Sequence, residues 1–331
     1  MIIKSITLIN FRNHSHYQME CKDEVSLILG PNGWGKTSIL EAIYILTRGK
    51  SFRATDRDII KRGTEFYRIE LTYTNGTTTA ATYDGKSKTF TITDQKSKRL
   101  PIKHKYPLIL FTPSDLNLIS HSPGRRRDYF DHIYSQLDEQ YNSSLSKYNK
   151  AIKQRNELLK SEQVTKDSLF SWNLLLAKYG SLLCQKRQEY TTEINSRLTP
   201  TYRSIAKNED EVELNYSTEV KTPTESAYLK TLEQNTERDI YLGHTTFGIH
   251  RDDYLISFNH QSADATASRG ENRSIILALK FIEANLIEEN LGQKPIILLD
   301  DVFSELDETR RRCLVENFKD NQVIITSVES I

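Results

Sequence analysis

The stretch LILGPNGWGKTSILEAI, residues 27–43, restricts the fold more than any other part of this chain. Gly30, Gly35, Lys36 and Thr37 fit the pattern GxxxxGK[ST], in which glycines let the backbone curl so that amide N–H groups converge on phosphate oxygens. In that arrangement Lys36 reaches the β- and γ-phosphates and the Thr37 hydroxyl ligates Mg²⁺. The apolar run VSLILG precedes the loop as a strand would, and Ile39, Leu40, Ile43 and Leu46 follow at helical spacing. Strand, loop and helix in this order place the loop at a helix N-terminus, whose partial positive charge adds to anion binding. Pro31, Asn32, Gly33 and Ser38 belong to the same candidate nucleotide-binding set, and ATP with Mg²⁺ is the implied cofactor.

A phosphate loop that hydrolyses nucleotide needs acids for the metal and the water. IILLDDVF supplies Asp300 and Asp301 at the end of an apolar run, where a parallel strand delivers its C-terminal residues to the ligand crevice. Buried acids are costly without a cation, so Asp300 is assigned to the metal and Asp301 to positioning or deprotonating the attacking water. The alternative is two solvated acids at a strand end.

The chain between these motifs changes character twice. Residues 2–29 read as two strands, and FYRIELTYTNGTTTAATYDGKSKTFTIT as an antiparallel meander with turns at Asn75-Gly76 and Asp84-Gly85. YPLILFTPSDL supplies a buried strand. After SPGRRRDYF, apolar residues from Tyr129 to Ile152 fall three or four apart, predicting one long amphipathic helix. A second helix is expected from Phe170 to Leu198, ended by Pro200, with the polar stretch SEQVTKDS between the two. VELNYS and ESAYLKTLEQ suggest a strand and a helix. YLISFN, SRGENRSIILALKFIEANLI, PIILLDDVF and QVIITS then return to strand and helix patterns. The expected division is 1–123 for the first part of an ATPase lobe, 124–240 for a mainly helical insertion, and 241–331 for the rest of the lobe. The fold class is α/β, a mixed sheet core with antiparallel strands and a helical insertion.

Composition narrows the function classes. Cys21, Cys184 and Cys313 stand far apart with no CxxC pair, which argues for buried thiols in a reducing compartment rather than a zinc cluster. The N-terminus MIIKSITLINFRN has no signal-peptide pattern and no run approaches bilayer length, so a cytoplasmic protein is expected and a membrane transporter is not. Net charge is +1, but its distribution is uneven. Residues 48–105 hold fourteen Lys or Arg against six Asp or Glu, and residues 281–331 hold five against eleven. Arg48, Lys50, Arg53, Arg57, Lys61 and Arg62 follow the phosphate-loop helix and form a candidate DNA-backbone contact. The same cluster also fits a solvated surface. Within Arg125, Arg126 and Arg127, at least one is expected to pair with Asp128 or Asp131. His250 in GIHRDD reads as a proton carrier or as part of a hydrogen-bonded turn, and Tyr129, Tyr134, Tyr141 and Tyr148 as packing residues.

GPNGWGKT, SRGENR and LLDDVFSELD together resemble the ATP-binding cassette architecture, in the branch that includes chromosome-maintenance proteins. FRNH, KSFRATDRDII, FTPSDLNLISHSPGRRRDYFD and GIHRDDY resemble the RecF family of bacterial recombinational repair along almost the whole chain. The resemblance implies a P-loop ATPase of the cassette type that forms an ATP-dependent homodimer and hydrolyses slowly. It implies binding to duplex or gapped DNA and work with recombination mediator proteins. Ser268, Gly270 and Glu271 match the motif that contacts the γ-phosphate held by the opposite subunit, Asp307 the loop that couples the two sites, and Arg12 of FRNH joins the nucleotide-binding set. Arg126 is carried over to the composite site. Thr326 and Ser327 stand where many cassette ATPases have a switch histidine. Ile249 replaces the family's usual proline, Glu271 and Asn272 replace two glutamines, the chain stops sooner after VIITS than is usual, and no glutamine in YPLILFTPSDL takes the metal-linked role. A contrasting expectation is an ATP-switched protein-interaction module that touches DNA only incidentally. A metabolite kinase would share the loop but leaves SRGENR and LLDDVFSELD without a role.

Overall fold

The computed structural model describes residues 2–161 and 163–328. Two compact units divide the chain, Met1–Asp115 with Glu283–Ile331, and Leu116–Ile282.

The first unit opens with three strands where the sequence suggested two: β1 (Ile3–Phe11), β2 (His14–Glu20) and β3 (Val25–Leu29). The turn at Arg12-Asn13 splits the first segment, because Asn10 and Arg12 both take left-handed backbone angles that reverse the chain. Helix α1 (Lys36–Arg48) and the short α2 (Asp56–Ile59) follow, then the meander β4 (Tyr67–Tyr73), β5 (Thr78–Tyr83), β6 (Lys88–Ile92) and β7 (Gln95–Ser97), and β8 (Leu108–Phe111). The meander turns fall at Asn75-Gly76 and Asp84-Gly85 as their sequence dictates, with Gly76 and Gly85 at φ 81° and 84°.

In the second unit, α3 (Pro123–Leu137) and α4 (Glu139–Leu159) replace the single long helix expected. Asp138 leaves helical geometry between them, at φ −135° and ψ 111°, and its side chain caps α4 by accepting from the Tyr141 N–H. The connection onward carries Glu162, which lies outside the described residues. Helix α5 (Lys166–Ala206) runs through Pro200 instead of stopping there. An interior proline costs about 3 kcal/mol, but burying Leu198, Tyr202 and Ile205 on either side of it outweighs that loss. Strand β9 (Val212–Ser217), helices α6 (Glu225–Gln234) and α7 (Thr236–Leu242), strands β10 (Asp253–Phe258) and β11 (Gln261–Ser262), α8 (Ala263–Thr266) and α9 (Arg269–Leu291) complete the insertion and return the chain to the first unit. That unit closes with β12 (Ile296–Asp300), α10 (Glu308–Phe318) and β13 (Val323–Ser327). Residues 329–331, the end of the chain after VIITS, lie outside the described residues.

Two sheets build the first unit: an antiparallel one ordered β2-β1-β4-β5-β6-β7 and a parallel one ordered β3-β13-β12-β8. The α/β class with antiparallel strands and a helical insertion is therefore the observed one. Helix α1 packs against strands of both sheets, which is why it is buried nearly all round. Ile39, Leu40, Ile43, Ile45 and Leu46 are fully buried and contribute about 2 kcal/mol each. This packing fixes the start of α1, and with it the phosphate loop. Strands β12 and β13 are buried throughout, as parallel strands covered on both faces must be. Gln322 joins the ends of the unit: its amide accepts from the Ile3 N–H and donates to the Ile3 and Lys22 carbonyls, at 2.8, 2.7 and 3.0 Å. Among the described residues no helix is long and apolar enough to cross a membrane.

Candidate nucleotide-binding site

The loop between β3 and α1 adopts the curled form its glycines permit. Gly33 and Gly35 have φ of 81° and 103°, a region that side-chain-bearing residues rarely enter. Space also demands glycine at 35, where a Cβ would stand 2.5 Å from His14 Nε2. The Lys36 ammonium is 4% exposed, donates to the Gly30 carbonyl at 2.8 Å and lies 3.7 Å from Asp301. It therefore spans the mouth of the loop from inside.

Strand β12 brings the two acids to this loop across 263 residues of sequence: the Thr37 hydroxyl donates to Asp300 Oδ1 at 2.9 Å. Thr326, at the end of β13, donates to the same oxygen at 2.9 Å. Burial pushes the Asp300 carboxyl above its ordinary range, a cost that the two hydroxyls and the neighbouring arginine only partly offset. Asp301 takes a left-handed backbone at φ 52°, held by its N–H against the Thr326 carbonyl and hydroxyl at 3.2 and 3.0 Å. That strain costs about 1 kcal/mol and turns the Asp301 side chain toward Lys36, where it is 31% exposed. Thr326 thus touches both acids, although sequence alone placed it only at a switch position.

The turn between β1 and β2 braces the loop from outside. Asn13 Nδ2 donates to the Gly33 carbonyl at 3.0 Å, and His14 Nε2 donates to the Gly35 carbonyl at 3.1 Å. Trp34, inside the loop, packs its ring against β2, with centroids 5.6 Å from His14 and 5.7 Å from Tyr17. Arg12 makes a two-pronged bond to Glu41 at 2.9 and 2.7 Å, and Arg53 meets the same carboxylate at 3.1 and 2.9 Å. Glu41 is fully buried on α1 and also accepts from Ser51. Asn13, His14, Trp34 and Glu41 were not singled out in the sequence. The motif FRNH marks the first two, but no local pattern reveals that Glu41 faces two arginines.

Arg12, Arg53, Lys36, Thr37, Ser38 and Asp301, with Pro31, Asn32, Gly33 and Gly35, line a hollow of about 290 Å³. A second hollow of about 450 Å³ shares Arg12 and Asn13 and is walled by Asp58, Ile60, Lys61 and Arg62. Two residues of the candidate DNA cluster, Lys61 and Arg62, therefore belong to the rim of the loop region. Of the rest, Arg53 is bonded to Glu41, and Arg48 is half-buried, with burial lowering its pKa and its guanidinium directed at the Tyr106 carbonyl. Lys50 and Arg57 are exposed.

Metal chemistry fits this donor set. Among the described residues no group of three or more His, Cys, Asp or Glu could hold an ion unaided, whereas Mg²⁺ is ordinarily bound by one or two protein oxygens together with nucleotide phosphates. The Thr37 hydroxyl and the buried Asp300 carboxylate, 2.9 Å apart, are that kind of pair.

In the second unit, Ser268 and Glu271 form a reciprocal cap at the start of α9: the Ser268 N–H donates to Glu271 at 2.6 Å and the Glu271 N–H to Ser268 Oγ at 3.3 Å. Ser268 is exposed and Gly270 half-buried. The Arg126 guanidinium grips Asp253 at 2.8 and 2.6 Å, and Arg127 donates to the Asp252 carbonyl at 2.6 Å. Asp131, one of the two acids suggested for this arginine run, is bonded to Arg187 at 2.8 and 2.9 Å. Both ring nitrogens of His250 are engaged, by Tyr148 at 2.9 Å and by the Thr245 carbonyl at 3.2 Å, so the hydrogen-bonded turn is the reading that holds. Tyr134, Tyr141 and Tyr148 are buried packing residues. Asp307 caps α10 through the Arg310 N–H at 3.0 Å.

Residues 2–330 match the model of the RecF/RecN/SMC N terminal domain family. A DNA replication and repair protein RecF from Ruminiclostridium cellulolyticum is 33% identical over 98% of this chain and 92% of its own length. The chain belongs to the RecF family. Another relative of the same description, from Leptospira interrogans, is 34% identical over 96% of this RecF-family chain and 88% of its own length. A solved structure of the recombination mediator protein RecF-ATP in the RecFOR pathway superposes with a TM-score of 0.86 at 28% identity, covering 98% of this chain and 92% of that one. An SmcHead structure shares the fold, with a TM-score of 0.55 at 14% identity over all of this chain and 90% of that one. The RecF-family fold is that of a P-loop ATPase.

Proposed function

We propose that this RecF-family protein is an ATP-dependent DNA-binding protein of recombinational repair and replication restart, and that ATP drives its dimerisation on duplex, gapped or junction DNA. The observation that carries the reading is the Thr37 to Asp300 hydrogen bond, which unites the phosphate loop with the acid strand in one site. The amides of Gly33, Gly35 and Lys36 and the Lys36 ammonium would bind the β- and γ-phosphates, with Asn32 and Ser38 completing the loop. Thr37 and Asp300 would hold Mg²⁺, which neutralises phosphate charge when bound. Asp301, adjacent to Lys36 and part-exposed, would orient the attacking water and take up its proton. Ser268, Gly270 and Glu271 of one subunit would meet the γ-phosphate bound by the other, and Asp307 would couple the two sites. Hydrolysis is then slow in the lone subunit and rises on dimerisation and DNA binding. Recombination mediator proteins are its proposed partners, in keeping with the relative described as acting in the RecFOR pathway.

The test is duplex affinity with and without ATP, alongside dimerisation by light scattering, for the parent, Lys36→Ala and Ser268→Arg. We expect an ATP-dependent gain for the parent, none for Lys36→Ala because ATP no longer binds, and normal ATP binding without dimers for Ser268→Arg. No gain for the parent would refute the DNA role; normal dimers of Ser268→Arg would refute the action of Ser268 across subunits. An ATP-switched protein module predicts an association with partners that salt barely weakens, whereas backbone contacts with DNA weaken steeply.

A further inference from the structure

Of the six cations at and after the end of α1, Lys50, Arg57 and Arg62 are exposed, and the other three are engaged. Arg53 is held by Glu41, Arg48 points at the Tyr106 carbonyl, and Lys61 donates to the Asn13 carbonyl at 2.9 Å. Another group lies at the far edge of the antiparallel sheet, in the turn before β6, on β7 and in the segment that follows: Lys86, Lys96, Lys98, Arg99 and Lys103, all exposed. Among the described residues none of these five forms a salt bridge.

Local geometry concentrates this charge. Strand β7 is the outermost strand, paired with β6 through Phe90–Ser97, Thr91–Lys96 and Ile92–Gln95. The antiparallel register carries Lys98 and Arg99 off the strand toward the Lys86–Lys88 end of β6, and Ser97 Oγ fixes the bend by donating to the Arg99 carbonyl at 2.7 Å. The acids on this edge do not neutralise it. Asp84 is occupied by the N–H groups of Lys86 and Ser87, at 2.9 and 2.7 Å, and Asp94 sits in the tight β6–β7 turn at φ 71°. Lys88 alone finds a carboxylate, Asp56 of α2 at 2.8 Å.

One or two lysines on an outer strand are an ordinary defence against edge-to-edge pairing. Here the positive charge continues past the strand onto residues 98, 99 and 103, where no ladder remains to protect. Like charges on adjacent segments repel, and a polyanion spanning several of them relieves that repulsion. The cations stand on separate segments of the edge, which suits a repeating phosphate backbone and not a small anion.

We propose that the β6–β7 edge is the surface that docks the sugar-phosphate backbone of duplex DNA. The inference rests on the DNA-binding reading above and moves the contact from the residues after α1 to the sheet edge. Each neutralised phosphate contributes about 0.9 to the slope of log affinity against log salt, so five cations supply a slope of about −4.5.

The test is the salt dependence of binding of the full chain, with ATP, to a labelled duplex, for the parent and for the triple variant Lys96→Gln, Lys98→Gln, Arg99→Gln. The slope should fall in magnitude by about 2.7, so that between 50 and 200 mM salt the parent loses about 40-fold more affinity than the variant. ATP binding and ATP-dependent dimerisation should be unchanged. A parent-like slope in a triple variant that still binds ATP and dimerises would overturn the edge assignment and leave the DNA reading standing. Absence of duplex binding by the parent, with dimerisation intact, would overturn both.

Discussion

Glu41 offers the sharpest check on how the phosphate loop is supported. Its carboxylate is fully buried on α1 while the two arginines it holds are 22% and 37% exposed. Breaking a wholly buried ion pair costs about 3–5 kcal/mol and an exposed one about 0–1. Glu41→Gln keeps the volume and one acceptor oxygen, and each arginine can partly rehydrate, so about 2–3 kcal/mol is expected between these limits. For a unit of this size that is a fall of roughly 5–10 °C in Tm. The pH dependence is a second signature. Burial alone would raise the Glu41 pKa, but hydrogen bonds from Arg12, Arg53 and Ser51 outweigh it and hold the carboxyl below its ordinary value of 4.5. A depressed folded-state pKa contributes stability above the unfolded value, and that stability is lost as pH falls through the folded value. Thermal melts of parent and variant from neutral to acid pH should therefore show a gap at neutral pH that closes below the glutamate range. A variant that melts within about a degree of the parent at neutral pH, or a gap that persists in strong acid, would refute the account of Glu41 as the anchor for Arg12 and Arg53.

Three further outcomes follow from the geometry. Trp34→Ala removes two edge-on aromatic contacts worth about 0.5–1.5 kcal/mol each and should weaken ATP binding by roughly 3- to 10-fold, with Trp34→Phe restoring most of it, as measured by titration calorimetry. Asp300→Asn keeps an acceptor for Thr37 and Thr326 but removes a buried charge whose pKa is raised, a cost present above the ordinary carboxylate range and absent in acid. Its Tm at neutral pH should equal or exceed the parent's while Mg²⁺-dependent ATP turnover disappears; a lowered Tm would contradict the burial argument. Burial lowers the His250 pKa to about 4 from an ordinary 6.5, so the neutral ring stabilises the second unit above the ordinary value. That contribution, up to about 3 kcal/mol, should drain away as pH falls from the upper to the lower value, and His250→Gln should flatten this part of the stability profile.

The phosphate loop, the paired acids and their order along the chain were legible because each rests on a local pattern: glycines at fixed spacing, a strand before them, a helix after them. The same is true of the meander, whose Asn-Gly and Asp-Gly turns carry their own backbone preference. What misled was also local. The apolar stripe from Tyr129 to Ile152 is continuous across α3 and α4, so periodicity could not reveal the break at Asp138, and Pro200 signals an end that packing around Tyr202 overrides. Charge was the least readable quantity, since a run of arginines and lysines does not disclose which are claimed by Glu41, by carbonyls or by nothing.

By itself, then, the sequence determined that this chain builds a P-loop lobe interrupted by a helical insertion, because backbone conformation and helical or strand periodicity are properties of neighbouring residues. Only the tertiary structure decided that Thr37 meets Asp300 across 263 residues, that the β1–β2 turn braces the loop from outside, and that Lys86, Lys96, Lys98 and Arg99 come together at one edge of the antiparallel sheet. Those are matters of which surfaces come together when the core closes, and the energy that selects them is spread over the whole core, not held in any one segment.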